Sequence, residues 1–214
     1  MTTPQMDHTT PNHSPRSVDL SWIPLGAGAG GLVVRISGRI YEAAVAAVAR
    51  RSACPLYHSA LTVHLDDAEV AIEMAPVWVG RGDRGIVAEG PVGARVLGCT
   101  PLFRYGVQRW IGGAIPDIDA AVGGPQPVSS NRAVAQRIFD LVPSFPVATW
   151  GRDELGTGDM WNSNSLTSWL LTSAGVDAAH LDPPNGGRAP GWRAGIVAAT
   201  NASRARPRAK NTPA

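Results

Sequence analysis

The sequence predicts an α+β fold in which an antiparallel sheet or small barrel packs against one buried helix. Three observations carry this reading. Residues 56–64 and 69–76 are two β-rich runs joined by Asp66-Asp67, the pattern of a hairpin. Residues 77–114, rich in Val, Ile, Trp and Gly, break into short strand-like pieces. Asn162, Ser163, Asn164 and Ser165 are all residues that cap helices, and they stand directly before Leu166, Trp169 and Leu170, whose spacing puts them on one helical face.

The remaining elements follow in chain order. Residues 18–25 and 31–37 read as strands joined by a Gly/Ala loop at 26–31. That loop leads into a strand rather than a helix, so it is read as a hairpin connection and not as a dinucleotide fingerprint. Residues 40–51 are Ala-rich, with Ile40, Ala44, Ala47 and Val48 on one side, and predict a helix ended by Pro55. Within 77–114 the strand pieces are 77–79, 85–87, 94–97 and 103–111. Residues 116–130 form a loop, and 131–141 a helix capped by Ser129, Ser130 or Asn131 with Val134, Ile138 and Leu141 facing inward. Residues 147–150 predict a short strand, 151–158 a polar loop, and the Ser163 helix stops near Gly175. After loops at 183–187 and 190–191, residues 192–199 predict an edge strand.

The 214 residues suit one domain, expected over 18–200 between a disordered segment at 1–17 and a disordered basic tail at 201–214. The formal charge of +2 is set by that tail: without Arg204, Arg206, Arg208 and Lys210, 15 basic residues face 17 acidic ones. A body of that charge is not a nucleic-acid-binding surface, so no specific nucleic-acid partner is expected. The longest apolar runs fall well short of the roughly 20 residues that cross a bilayer, so no transmembrane segment is expected. The first 17 residues carry Pro4, Pro11 and Pro15 and no apolar stretch, unlike a secretory signal; a cytoplasmic location is the expectation. Cys54 and Cys99 are too few for a disulfide framework and are not spaced as metal ligands, so neither a metal nor another cofactor is implied.

The hairpin and the capped helix hold the candidate chemistry. With Asp66 and Asp67 as turn residues, 64 faces 69, 60 faces 73 and 58 faces 75. Side chains alternate along a strand, so His58, Ala60, Thr62 and His64 share a face, and Glu73 lies on it diagonal to His58. A carboxylate between Ile72 and Met74 needs a partner when buried, and a histidine is a suitable one. Ser163 stands at the helix N-terminus, where free N–H groups and the helix dipole favour developing negative charge. The plainer reading of this serine is a helix cap with no chemistry, and that of His58 and Glu73 is a solvent-facing or purely structural pair.

Together the two stretches resemble the circularly permuted papain-like proteins, the group of lecithin:retinol acyltransferase and, more distantly, the NlpC-type peptidases. His58-Ser59-Ala60 stands where that group begins a strand with His and a small residue. Leu65-Asp66-Asp67 stands at its turn, Ile72-Glu73-Met74-Ala75-Pro76 at its strand end, and Asn162-Ser163-Asn164-Ser165-Leu166 at its Asn-Cys nucleophile motif, with Ser in place of Cys. The resemblance implies a papain-like sheet packed against a nucleophile-bearing helix. It also implies Ser163 as nucleophile, His58 as general base, Glu73 as the group orienting the imidazole, and backbone N–H groups with Asn162 or Asn164 around an oxyanion. The reaction implied is hydrolysis or acyl transfer through an acyl-Ser163 intermediate, on a small-molecule, lipid or peptide substrate bearing an amide or ester. Ser is a far weaker acid than Cys and needs its base in contact, so the same pattern also fits a catalytically inactive binding or interaction module, with Trp161, Trp169 and Trp192 as contact area. Cys54 and Cys99 are rival nucleophiles, and His180 beside Asp182 a rival base.

Overall fold

A computed structural model describes residues 17–27, 42, 46–48, 50–66, 68–77 and 85–205. Its centre is a six-stranded sheet made of β1 (Val18–Pro24), β2 (Tyr57–Leu65), β3 (Ala68–Pro76), β4 (Ile86–Pro91), β5 (Arg104–Ile111) and β6 (Gln126–Ser129). The spatial order is β4-β5-β3-β2-β1-β6, with every adjacent pair antiparallel. Helices α1 (Arg132–Leu141), α2 (Ser163–Ala174) and α3 (Trp192–Ala205) complete an α+β arrangement. No helix among the described residues is long and apolar enough to cross a membrane.

Alternation along the strands separates two faces. Val18, Leu20 and Trp22 of β1, Leu61 and Val63 of β2, Val70, Ile72 and Met74 of β3, and Val107 of β5 join Leu166, Leu170 and Leu171 of α2 in one buried cluster. Each fully buried Leu contributes about 1.5–3 kcal/mol, so this face holds most of the apolar stabilisation. Among the described residues the opposite face carries a small cluster of Ile23, Ala60, Ala71 and Ile115, with Ala27, Ile118 and Ala121 at its margin.

The β2–β3 hairpin has the register expected from its sequence, His64 facing Glu69 and Leu61 facing Ile72. Beyond Leu61 the two strands have no recorded pairing, although β1 accompanies β2 to Pro24–Tyr57. Side chains of α2 and a loop backbone bond β2 there instead. Thr167 Oγ1 donates to Ser59 O (3.3 Å), Asn164 Nδ2 donates to Tyr57 O (3.0 Å), and Tyr57 N donates to Arg188 O (2.9 Å). Buried backbone groups need partners, and here the helix supplies them.

Capping explains both ends of α2. Asn162 Oδ1 accepts from Asn164 N and Ser165 N while Ser165 Oγ accepts from Asn162 N, a reciprocal capping box; Gly175, at φ 94°, closes the C-terminus by donating to Leu171 O and Thr172 O. Asn131 caps α1 through Ala133 N. Residues 192–199 are helical, not an edge strand, because their buried side is made of small residues. Ala194, Gly195 and Ala199 face α2, and a Cβ on Gly195 would sit 2.1 Å from Ser168 Oγ. That close crossing needs a helix with a glycine.

Other expectations change as well. Residues 95–99 form a 3-10 turn, where a strand was expected over 94–97. Of residues 147–150 only Trp150 makes a bridge, to Val92. Ser17 is buried and donates its N–H to Ser129 O, and residues 201–205 continue α3, so order extends past both ends of the expected domain. Glu42 and residues 46–48 are helical as expected, while Arg50 and Arg51, expected in the same helix, form a turn and a bend; residues 40, 41, 43–45 and 49, the strand at 31–37, Asp67, residues 78 and 79, and the segments 1–16 and 206–214 lie outside the described residues.

Candidate functional site

The polar side chains at the start of α2 are nearly all committed to holding the fold. Asn162 Nδ2 donates to Pro190 O (2.7 Å). Asn164 Nδ2 donates to Pro190 O (2.8 Å) as well as to Tyr57 O, and Asn164 Oδ1 accepts from Ser59 Oγ (2.8 Å). Ser165 Oγ donates to Gly191 O (2.8 Å) and Ser168 Oγ to Asn164 O (2.9 Å). Asn162 and Asn164, expected around an oxyanion, tie the start of α2 to Pro190 and to β2. Both hydrogens of the Asn164 amide are taken, and Asn162 Oδ1 already occupies the Asn164 and Ser165 N–H groups. Ser163 differs from its neighbours: it is 6% exposed, and its Oγ makes no hydrogen bond to another described residue.

His58 does not share the side of β2 that meets α2. Tyr57 and Ser59 are the residues in contact with Asn164, so alternation turns the His58 side chain to the opposite face. No hydrogen bond joins His58 to Ser163. Burial holds the His58 imidazole down at about 4, and the carboxylate acting on it is that of Asp117, pulling the other way. His58 is thus neutral near pH 7 even though part of the residue is reached by solvent. Glu73, also on the His58 face, is buried and engaged. Alternation therefore puts His58 and Glu73 on one face of the sheet, while Ser59 of the same strand meets Asn164 of α2.

The face of His58 and Glu73 holds what sequence reasoning passed over. Asp19 pairs with Thr62, Ser21 with Ala60, and Gln108 with Glu73, so Asp19, Ser21, Thr62, Glu73 and Gln108 all project from it beside Ala60 and Ala71. Asp19 Oδ2 lies 3.0 Å from His64 Nε2. Asp19 Oδ1, Ser21 Oγ and Gln108 Oε1 have no partner among the described residues, although their residues are 4%, 0% and 2% exposed. A buried polar atom left unpaired costs about 1–3 kcal/mol, and three on one face call for an explanation. The signal was available in the run Asp19-Leu20-Ser21-Trp22-Ile23, where polar residues alternate with the apolar ones of a strand central enough to be covered on both sides.

The rival groups are structural or peripheral. Cys54 lies beside Glu42 (3.2 Å), and burial, with Glu42 next, pushes its thiol up, away from the thiolate a nucleophile needs. Glu42 itself is held at about 2, chiefly by Arg51. Cys99 is exposed and donates to Val96 O. His180 meets Asp177 rather than Asp182, both at the surface. Trp161 and Trp169 pack around Phe145 in the core, and Trp192 lies 4.9 Å from Trp22, so these rings are spent on packing. No cluster of three or more His, Cys, Asp or Glu forms among the described residues. Comparison with protein-family models, with curated proteins and with solved structures finds no match for this chain.

Proposed function

We propose that this protein is a ligand-binding module whose site is the polar face of the sheet, taking a small molecule rich in hydrogen-bond donors. The observation that carries it is the trio of buried atoms without a partner among the described residues: Asp19 Oδ1, Gln108 Oε1 and Ser21 Oγ can each accept a hydrogen bond. A bound amine or polyol would supply the missing hydrogens. Each bond completed in a dry setting removes the cost of an unpaired group. Thermal-shift and calorimetric screening against amines and polyols tests this. Ligands that raise the melting temperature, and lose that effect in Ser21→Ala and Gln108→Leu, support the site; a panel without such a ligand overturns it.

A second reading, acyl transfer through Ser163 in a papain-like domain, is favoured by one observation: among the hydroxyls of Ser163, Ser165, Thr167 and Ser168, only Ser163's makes no bond to a described residue. Against it stand the committed amides of Asn162 and Asn164 and the turn of His58 to the other face. A fluorophosphonate probe separates the two readings. Labelling abolished by Ser163→Ala and by His58→Ala would establish the enzyme, and an unlabelled protein with unchanged ligand binding in Ser163→Ala would exclude it.

A further inference from the structure

The connection from β5 to β6 has an unusual path. β5 lies second from one edge of the sheet and β6 forms the other edge, so residues 112–125 must pass β3, β2 and β1. They cross on the polar face, where Ile115, Ile118 and Ala121 meet Ile23, Ala60 and Ala71. Ala60 is the register partner of Ser21, and Ala71 lies on β3 beside the β5 strand of Gln108. The crossing therefore lies between Ser21 of β1 and Gln108 of β5, whose Oγ and Oε1 have no partner among the described residues.

Its attachments are concentrated at its ends. Gly112 N donates to Glu69 O (2.7 Å) and Val122 N donates to Trp22 O (2.9 Å). Between them Gly113 N donates to Trp110 O of β5 (3.3 Å), and from residue 114 on the bonds are internal, Ile118 N to Ile115 O, Ala120 N to Asp117 O and Ala121 N to Ile118 O. No hydrogen bond among the described residues ties 114–121 to the sheet, so its hold there is the small apolar cluster. Gly112 (φ 66°) stands at one end and Gly123 (φ 80°) and Gly124 (φ 71°) at the other, backbone conformations that glycine adopts without strain. Ser21, the register partner of Ala60, is buried with its hydroxyl unpaired among the described residues, so the closed state carries an uncompensated polar group.

We propose that residues 112–124 are a hinged lid, pivoting on glycines at both ends, that lifts to open the polar face of the sheet to a ligand. The ligand half of this statement rests on the binding reading above; the lid rests on its own attachments.

Thiol accessibility tests it, using two neighbouring positions on opposite faces of β2 that are both 0% exposed, Ala60 and Leu61. In a background with Cys54 and Cys99 replaced by Ser, Ala60→Cys and Leu61→Cys are each treated with a methanethiosulfonate reagent. A lid predicts that Ala60→Cys reacts at least about 100-fold faster, since its exposure needs local opening and that of Leu61→Cys needs global unfolding. Adding Ile115→Ser should speed the Ala60→Cys reaction about tenfold and leave Leu61→Cys nearly unchanged. Equal rates at the two positions overturn the lid. Hydrogen exchange on the unmodified protein gives an independent reading. Fast exchange of 114–121 with the Gly112 and Val122 amides protected supports the hinge, and uniform protection equal to that of β1 and β2 overturns it. Fast Ala60→Cys labelling that no amine or polyol slows would keep the lid and remove the binding reading. A ligand that binds while Ala60→Cys labels only on unfolding would do the reverse.

Discussion

On the helix side of the sheet, Leu20, Leu61, Val63 and Ile72 meet Leu166, Leu170 and Leu171 of α2, and the polar groups of that helix find partners in Tyr57 O, Ser59 and Pro190 O. On the other side the same strands present Asp19, Ser21, His58, Glu73 and Gln108 around two alanines, beneath a crossing held by a few apolar contacts. The helix side has its volume filled and the side chains of Asn162, Asn164, Ser165, Thr167 and Ser168 bonded, although Ser163 Oγ, Trp161 Nε1, Trp169 Nε1 and Thr172 Oγ1 find no partner among the described residues. The other keeps polar atoms open under cover. A strand alternating between large apolar and small or polar residues can thus separate stability from function, one face for each.

The largest expected effect breaks the helix side. Leu61→Ala should cost about 2–5 kcal/mol in urea unfolding, because Leu61 is fully enclosed and α2 cannot collapse into the space. Ile115→Ala deletes a similar side chain on the other side, where the crossing can settle or lift; about 1 kcal/mol is expected there. Equal losses would erase the distinction between the faces.

Acid should act through the open side. His58 is held at about 4 in the fold against 6.5 in the unfolded chain, so above pH 6.5 both states are neutral and it contributes no pH dependence. As pH falls from 6.5 to 4 the unfolded chain binds the proton first and stability drops, by up to about 3 kcal/mol in all; below 4 both states are charged and this loss stops growing. Denaturation midpoints followed from pH 7 to 4 should flatten over that window in His58→Gln.

Asn164→Ala tests how the helix completes the sheet. It strips the partners from Tyr57 O and Ser59 Oγ and one of two donors from Pro190 O, which keeps Asn162 Nδ2, and a loss of about 1–3 kcal/mol follows from leaving the first two groups unpaired. Asn164→Asp keeps one acceptor and no amide donor, so it should recover only the Ser59 contact.

Much of this frame was legible in the residues. The hairpin register follows from alternation about Asp66, and the start of α2 from four consecutive capping residues, because both signals are local. What was not legible depends on contacts distant in sequence. Residues 192–205 carry Ile196 and Val197, which favour a strand, yet fold as a helix whose buried side is the small residues Ala194, Gly195 and Ala199, with Gly195 against Ser165 and Ser168. The roles of Asn162 and Asn164 turn on Pro190, some 26–28 residues away. The facing of His58 needed only alternation, but which face of β2 receives α2 is set by the Ser59–Asn164 contact, 105 residues apart.

The smallest effect is the sharpest comparison, since it applies one substitution to both sides. Ser165 and Ser21 are each 0% exposed. Ser165 Oγ donates to Gly191 O and accepts from Asn162 N, so Ser165→Ala leaves a carbonyl and an amide short and should destabilise by about 1–2 kcal/mol. Ser21 Oγ has no partner among the described residues, so Ser21→Ala removes a group whose burial is already uncompensated. It should leave stability unchanged or raise it by up to about 1 kcal/mol, since exchanging an unsatisfied hydroxyl for a hydrogen breaks no hydrogen bond among the described residues. The same Ser21→Ala protein should lose affinity for any amine or polyol the wild type binds. A residue whose removal stabilises the empty fold and weakens the complex is kept for the ligand, and a Ser21→Ala variant that is destabilised would instead assign that hydroxyl to the architecture.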